Sequence, residues 1–186
     1  MIRSPRLQLL AILTLFALPI IASYLVHHFH RPEATGNYGE LLLPPAQAPT
    51  VAFPRGAGAP FRFEELRGKW VLVVSDSGAC PGPCEAKLVL VRQVRLMLGR
   101  RADRVARAFI AVDTAPLSTQ AFAAFEGMTI ATTQLGMGQG NSVVNDRAHV
   151  YLIDPLGNVM MRWPANADPK RMLKDLERLL KASQIG

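Results

Sequence analysis

Trp70-Val71-Leu72-Val73-Val74, followed by Ser75-Asp76-Ser77-Gly78-Ala79-Cys80-Pro81-Gly82-Pro83-Cys84-Glu85-Ala86-Lys87-Leu88, decides how this chain folds. The first five residues form a short continuous apolar run rich in branched side chains, the pattern of a strand buried on both faces. Behind the loop, Leu88, Val91, Val94, Leu96 and Met97 recur at helical spacing, with Lys87, Arg92 and Arg95 among the polar positions. The only two cysteines of the chain therefore sit where a buried strand gives way to a helix. Unsatisfied amide N–H groups and the helix dipole stabilise a thiolate at such a junction. Pro81 and Pro83 stiffen the loop and Gly82 lets it bend. Three roles are open to the pair: a structural staple, a redox couple, or a thiolate pair that also binds a soft metal. A staple across so short a loop gains little, less than the ~3 kcal/mol of a fifteen-residue loop.

Outward from this stretch, Ala108-Phe109-Ile110-Ala111-Val112-Asp113 reads as a second buried strand, and Ser118 caps a helix reaching Phe125. The glycine-rich segment from Gly127 to Asn145 reads as a loop. His149-Val150-Tyr151-Leu152-Ile153-Asp154 and Val159-Met160-Met161-Arg162-Trp163 form a hairpin about the turn Pro155-Leu156-Gly157-Asn158. Asp168 caps a last helix with Pro169 in its first turn, where a missing N–H is harmless. Strand, helix, strand, helix, hairpin, helix is the thioredoxin-like arrangement: an α/β, three-layer fold spanning 61–186, with parallel strands joined by right-handed crossovers.

The N-terminal part is different. The chain has 186 residues, 49% hydrophobic and only 19% charged, which places part of the apolar content in a membrane segment. Residues 7–26 carry no charge, and as a helix they span about 30 Å, one bilayer core. Arg3 and Arg6 precede them, so the positive-inside rule keeps residues 1–6 in the cytoplasm and sends the remainder across. No clean small-x-small site ends the run, which favours an uncleaved single-pass anchor over a signal peptide. Residues 27–60 are rich in Pro and Gly and read as a tether. His27, His28 and His30 at its start form a polar interfacial collar. Net charge is +7. Once Arg3, Arg6 and Arg31 are set aside the excess of bases is mild and suits a domain beside anionic headgroups or an acidic partner. No nucleic-acid motif is present, and the basic residues are not interleaved with aromatics. Arg100, Arg101, Arg104 and Arg107 read as the solvated end of a helix.

Leu66-Arg67-Gly68-Lys69-Trp70-Val71-Leu72-Val73-Val74 with the Cys-x-x-x-Cys loop behind it resembles the Sco/SenC family, membrane-anchored thioredoxin-fold proteins that help assemble the copper centre of cytochrome c oxidase. Val112-Asp113-Thr114 and Tyr151-Leu152-Ile153-Asp154-Pro155-x-Gly157 extend the resemblance. It implies that Cys80 and Cys84 are both the redox pair and ligands for copper. The family takes its third ligand from the histidine of a Val-Asp-His motif shortly before the Tyr-Leu-Ile strand. Here that stretch is Val144-Asn145-Asp146, so a carboxylate, a poor partner for Cu(I), holds the histidine position. His149 is the candidate third ligand, although an odd offset along a strand points it to the opposite face. Pro81-Gly82-Pro83 replaces a more polar set, and Glu85 stands where the family usually has proline. Met137 is read as an ordinary loop residue and Met160-Met161 as strand packing.

The resemblance implies a domain held outside the cytoplasm at the inner membrane, in a periplasm if the cell has one. Its client is a cytochrome c oxidase subunit or another thiol protein, kept reduced or loaded with copper. In that reading Cys80, the more exposed sulfur, exchanges with the client and Cys84 resolves the mixed disulfide. A general thiol–disulfide oxidoreductase without metal, and a non-catalytic interaction module on the same fold, are the alternatives.

Overall fold

The computed structural model describes residues 4–29, 36–56, 58–133, 142–183 and 185, in two units, 1–36 and 37–186. The first contains one helix, α1 (Pro5–Phe29), of which Pro5–Val26 is long and apolar enough to cross a membrane. Of the three histidines expected to form a collar, His27 and His28 fall on this helix and His30 lies outside the described residues.

The second unit is built on a six-stranded mixed sheet. Its strands are β1 (Glu40–Gln47), β2 (Trp70–Asp76), β3 (Val105–Ala111), β4 (Thr129–Thr132), β5 (His149–Ile153) and β6 (Asn158–Pro164). They lie in the order β1-β6-β5-β2-β3-β4. β2, β3 and β4 are parallel, while β5, β6 and β1 join as antiparallel neighbours. The helices are α2 (Gly82–Met97), α3 (Thr119–Ala123), α4 (Ser142–Asn145) and α5 (Pro169–Ala182).

The alternation of side chains along β2 divides the core. Trp70, Leu72 and Val74 face one apolar cluster with Leu88, Val91 and Val94 of α2 and Met172, Leu176 and Leu180 of α5. Val71 and Val73 face a second cluster with Phe53, Phe61 and Phe63 and with Val143 and Val144 of α4. Helices, sheet and a covering layer of loop and short helix make the three layers, as expected for a thioredoxin-like fold.

Two expectations are corrected. Residues 27–60 do not form a tether throughout. Residues 27–29 continue α1, and β1 pairs with β6 along the sheet edge. Phe53 and Phe61 exchange backbone hydrogen bonds of 2.7 Å and are fully buried. Prolines disguised this strand, yet an edge position needs N–H groups on only one side. The buried Asp175 of α5 fastens its beginning. Its carboxylate accepts from the backbone N–H of Tyr38 and Gly39 and from Trp163 Nε1, the last at 3.0 Å. Gly39 is required there, because a Cβ would stand 2.5 Å from Trp163 Nε1. The second correction concerns the segment from Gly127 to Asn145. It is not all loop: Thr129–Thr132 adds β4 parallel to β3, and Ser142–Asn145 forms α4.

Candidate dithiol site

β2 ends at Asp76, and the chain turns through Ser77-Gly78-Ala79 into Cys80 before α2 begins. Local hydrogen bonds shape this turn. Ser77 N–H reaches Asp76 Oδ1 at 2.7 Å, and Cys80 N–H reaches the Ser77 carbonyl at 3.0 Å. Gly78 packs so tightly on the Ala115 carbonyl that any Cβ would overlap it. Its N–H donates to Asp113 Oδ1 at 3.0 Å, and its carbonyl accepts from Ser118 N–H. Asp113 also accepts from Ala115 N–H and pairs with Arg147 at 3.1 Å. One carboxylate thus ties together the dithiol loop, the loop after β3 and the loop before β5.

Cys80 and Cys84 are joined in a disulfide, with Cα atoms 5.0 Å apart. Cys84 lies in the first turn of α2 and is fully buried, whereas Cys80 keeps 5% of its surface at the rim. Pro81, Gly82 and Pro83 between them are exposed, so a partner approaching the rim meets Cys80 first. Cys80 adopts φ +43°, the only non-glycine residue with positive φ among the described residues. That conformation costs an L-residue roughly 1 kcal/mol or more, so the surrounding turn must hold it in place. Pro81 caps α2 without a side-chain acceptor, leaving the positive helix end facing the sulfurs.

Lys87 was read as one of the polar positions of α2, and the structure corrects this. It is 2% exposed, and its ammonium makes three contacts: an ion pair with Asp76, and hydrogen bonds to the carbonyls of Ser75 at 3.1 Å and Arg147 at 2.7 Å. Three donors meet three acceptors, which makes a buried charge tolerable. Lys87 follows Cys84 by one helical turn on the same face. A buried cation therefore belongs to the scaffold of the dithiol. Sequence held a partial signal for it: Asp76 closes a strand that is apolar through Val74, and Lys87 interrupts the apolar stripe beside Leu88.

The third site residue is not brought to the sulfurs. His149 shares a face of β5 with Tyr151, which lies in the cluster opposite the cysteines, while Val150 and Leu152 lie in the cluster that contains them. His149 Nδ1 instead contacts Asp146 Oδ2 at 2.6 Å, and the Tyr151 hydroxyl donates to the same oxygen at 2.7 Å. His149, expected as the third copper ligand, is instead turned away from the sulfurs by strand alternation and engaged by Asp146. Among the described residues no three His, Cys, Asp or Glu side chains gather as a metal site. Among the described residues the two sulfurs are bonded to each other, and no histidine joins them. Met137 lies outside the described residues.

Both Asp113 and Asp146 hold their protons less tightly than the ordinary aspartate value of 3.8. Burial raises each value, but hydrogen bonds outweigh it. They come from the Gly78 N–H, the Ser77 hydroxyl and the Ala115 N–H for Asp113, aided by the Arg147 charge. For Asp146 they come from the Tyr151 hydroxyl, the Ala148 N–H and His149. A depressed folded-state value stabilises the fold at pH above the unfolded value, and that stabilisation is lost as pH falls through the folded one. The urea midpoint is therefore expected to hold steady near neutrality and to drop below about pH 4. Asp113→Ala should flatten part of this acid limb; a midpoint that falls equally steeply in that variant would show that Asp113 is not among the groups responsible.

The geometry defines a class: a thioredoxin-fold protein with a disulfide-forming cysteine pair at the head of its first sheet-covering helix. The family described as transmembrane-like, thioredoxin-like, C-terminal domain matches residues 70–183, and the chain belongs to it. Solved structures with the same fold include the apo Sco1 protein of Thermus thermophilus. It is 19% identical, with 77% of this chain and 96% of that one covered at a TM-score of 0.64. Yeast Sco1 with copper bound is likewise 19% identical, covering 75% and 95% at 0.64. The thioredoxin domain of a thiol-disulfide oxidoreductase from Bacteroides vulgatus is 14% identical, covering 72% and 95% at 0.54. The expected Sco/SenC resemblance is borne out in the fold. Among curated proteins none matches the chain in sequence.

Proposed function

We propose that this chain is a membrane-anchored dithiol protein that keeps the cysteine pair of a cytochrome c oxidase copper site reduced during assembly, with its sheet-bearing unit on the extracytoplasmic side, the periplasm in a bacterium. The observation that carries the reading is the Cys80–Cys84 disulfide at the β2–α2 junction, one sulfur at the rim and one beneath it. In the reduced state the Cys80 thiolate attacks a client disulfide. One client sulfur leaves as thiolate and a mixed disulfide remains. Cys84 then attacks Cys80, forming the intramolecular disulfide and releasing the client as a dithiol. Two electrons pass to the client, and an external dithiol donor must restore the pair. Copper as cargo would rest on the two thiolates alone. The placement of His149 against Asp146 supports a second reading, a general exchange protein that handles no metal.

A redox titration of the full chain in neutral detergent micelles tests the dithiol, and an anaerobic Cu(I) competition tests the cargo. The pair is expected to fall among exchange-active couples, about −270 to −120 mV. A potential below about −300 mV, the range of structural disulfides, would end both readings. A potential in range with Cu(I) binding that Cys84→Ser abolishes would add metal delivery; the same potential without binding leaves reduction alone.

A further inference from the structure

Arg107 stands on β3 with its side chain on the α2 side of the sheet, in register with Val105 and Phe109 of that core cluster. It was read as part of a solvated helix end, and the structure corrects this: Arg107 is only 6% exposed. Its Nη2 donates to the Glu126 carbonyl at 2.6 Å, while its Nε is buried without an acceptor. No carboxylate pairs with it among the described residues. Burial, and after it the charges of Arg95 and Arg92 on α2, hold its guanidinium below the usual arginine range. Arg95 donates its Nε to the Val105 carbonyl at 2.8 Å, and its ion pair with Asp103 is a loose one of 3.6 Å to a side chain that is 97% exposed. Arg92, Arg95 and Arg107 line a polar pocket of about 270 Å3, closed on the other side by Ala123, Ala124 and Glu126. Among the described residues the Glu126 side chain makes no ion pair.

A buried cation beside two others, with an unused donor and no counter-ion, is costly unless something from outside neutralises it. We propose that this pocket binds an oxyanion of the phosphate class, with Arg107 at its floor and Arg92 and Arg95 at its mouth. Planar guanidinium forks match the oxygen pairs of a tetrahedral oxyanion. The pocket is larger than a bare phosphate needs, so a phosphate ester fits as well, either a soluble one or the headgroup of an anionic lipid. The small alanine wall offers no aromatic surface on which a base could stack.

The test is a thermal-unfolding series on the full chain in neutral detergent micelles. Inorganic phosphate, glycerol phosphate and micelles doped with phosphatidylglycerol are each compared with potassium chloride at matched ionic strength. A ligand that binds only the folded state raises the midpoint in proportion to its occupancy. Phosphate or its esters are expected to raise it where chloride does not, and Arg92→Ala/Arg95→Ala should weaken binding at least about tenfold. Arg107→Met should abolish the response; its anion-free midpoint is measured alongside, because the change also removes the hydrogen bond to the Glu126 carbonyl. A greater shift with soluble glycerol phosphate identifies an ester site; a greater shift with phosphatidylglycerol identifies a headgroup site. No anion-specific shift, or one that persists in both variants, overturns the proposal.

Discussion

Cys84→Ser is expected to turn a cycling dithiol into a trap. The remaining Cys80 thiolate still attacks a client disulfide, but the second sulfur needed to release the product is gone. The mixed disulfide should therefore accumulate, visible as a reducible adduct by non-reducing electrophoresis and mass spectrometry, and turnover should stop after one round. Cys80→Ser should form no adduct, because Cys84 is fully buried. The variant also loses the cross-link of the oxidised state. For so small a loop that loss amounts to about 2 kcal/mol, and the buried hydroxyl adds about 1–3 kcal/mol if unpaired. Comparison with the reduced wild-type chain separates these structural effects from the loss of chemistry. Normal turnover in Cys84→Ser, or an adduct at Cys84 in Cys80→Ser, would overturn the division of labour between the two sulfurs.

The largest stability effect is expected at Lys87. Lys87→Met removes an ammonium that is 2% exposed and contacts Asp76 and the carbonyls of Ser75 and Arg147. The Asp76 carboxylate is left without its cation and two carbonyls lose their donor. Breaking one half of a buried pair costs about 3–5 kcal/mol, whereas replacing both halves with apolar groups is often neutral. Lys87→Met with Asp76→Leu is therefore expected to recover most of the loss, a strongly non-additive cycle for residues in contact. Urea unfolding of the single and double variants measures it. Additive costs, or a single-variant cost under about 1 kcal/mol, would mean the pair is solvated in solution.

How much of this was legible depended on how long each signal was. The apolar runs of β2 and β3 and the stripe of α5 extend over enough residues for periodicity to identify them, and Asp168 and Pro169 mark the start of α5 as chemistry requires. β4 is only four residues, Thr129-Ile130-Ala131-Thr132, too short to stand out from its glycine-rich surroundings; its existence depends on pairing with β3. β1 carries Pro44 and Pro45, a local signal against strand that tertiary pairing with β6 overrode. At the site, the position of the two cysteines followed from the strand–helix junction, and alternation along β5 already placed His149 on the wrong face. The buried state of Arg107 was hidden because residue type argues for exposure, and for Lys87 the interrupted apolar stripe was a hint whose partners only the fold supplies.

The same prolines have a consequence for how copies of the chain behave together. β1 is an outer strand, and Leu43 beside the prolines is 80% exposed. An apolar sheet border with a full row of free amides would invite strands from neighbouring molecules. Pro44 and Pro45 carry no amide hydrogen, and the pairing register breaks between Leu41 and Ala46. The border is thus a poor template for intermolecular ladders, which protects the protein from fibrous self-association when it is crowded.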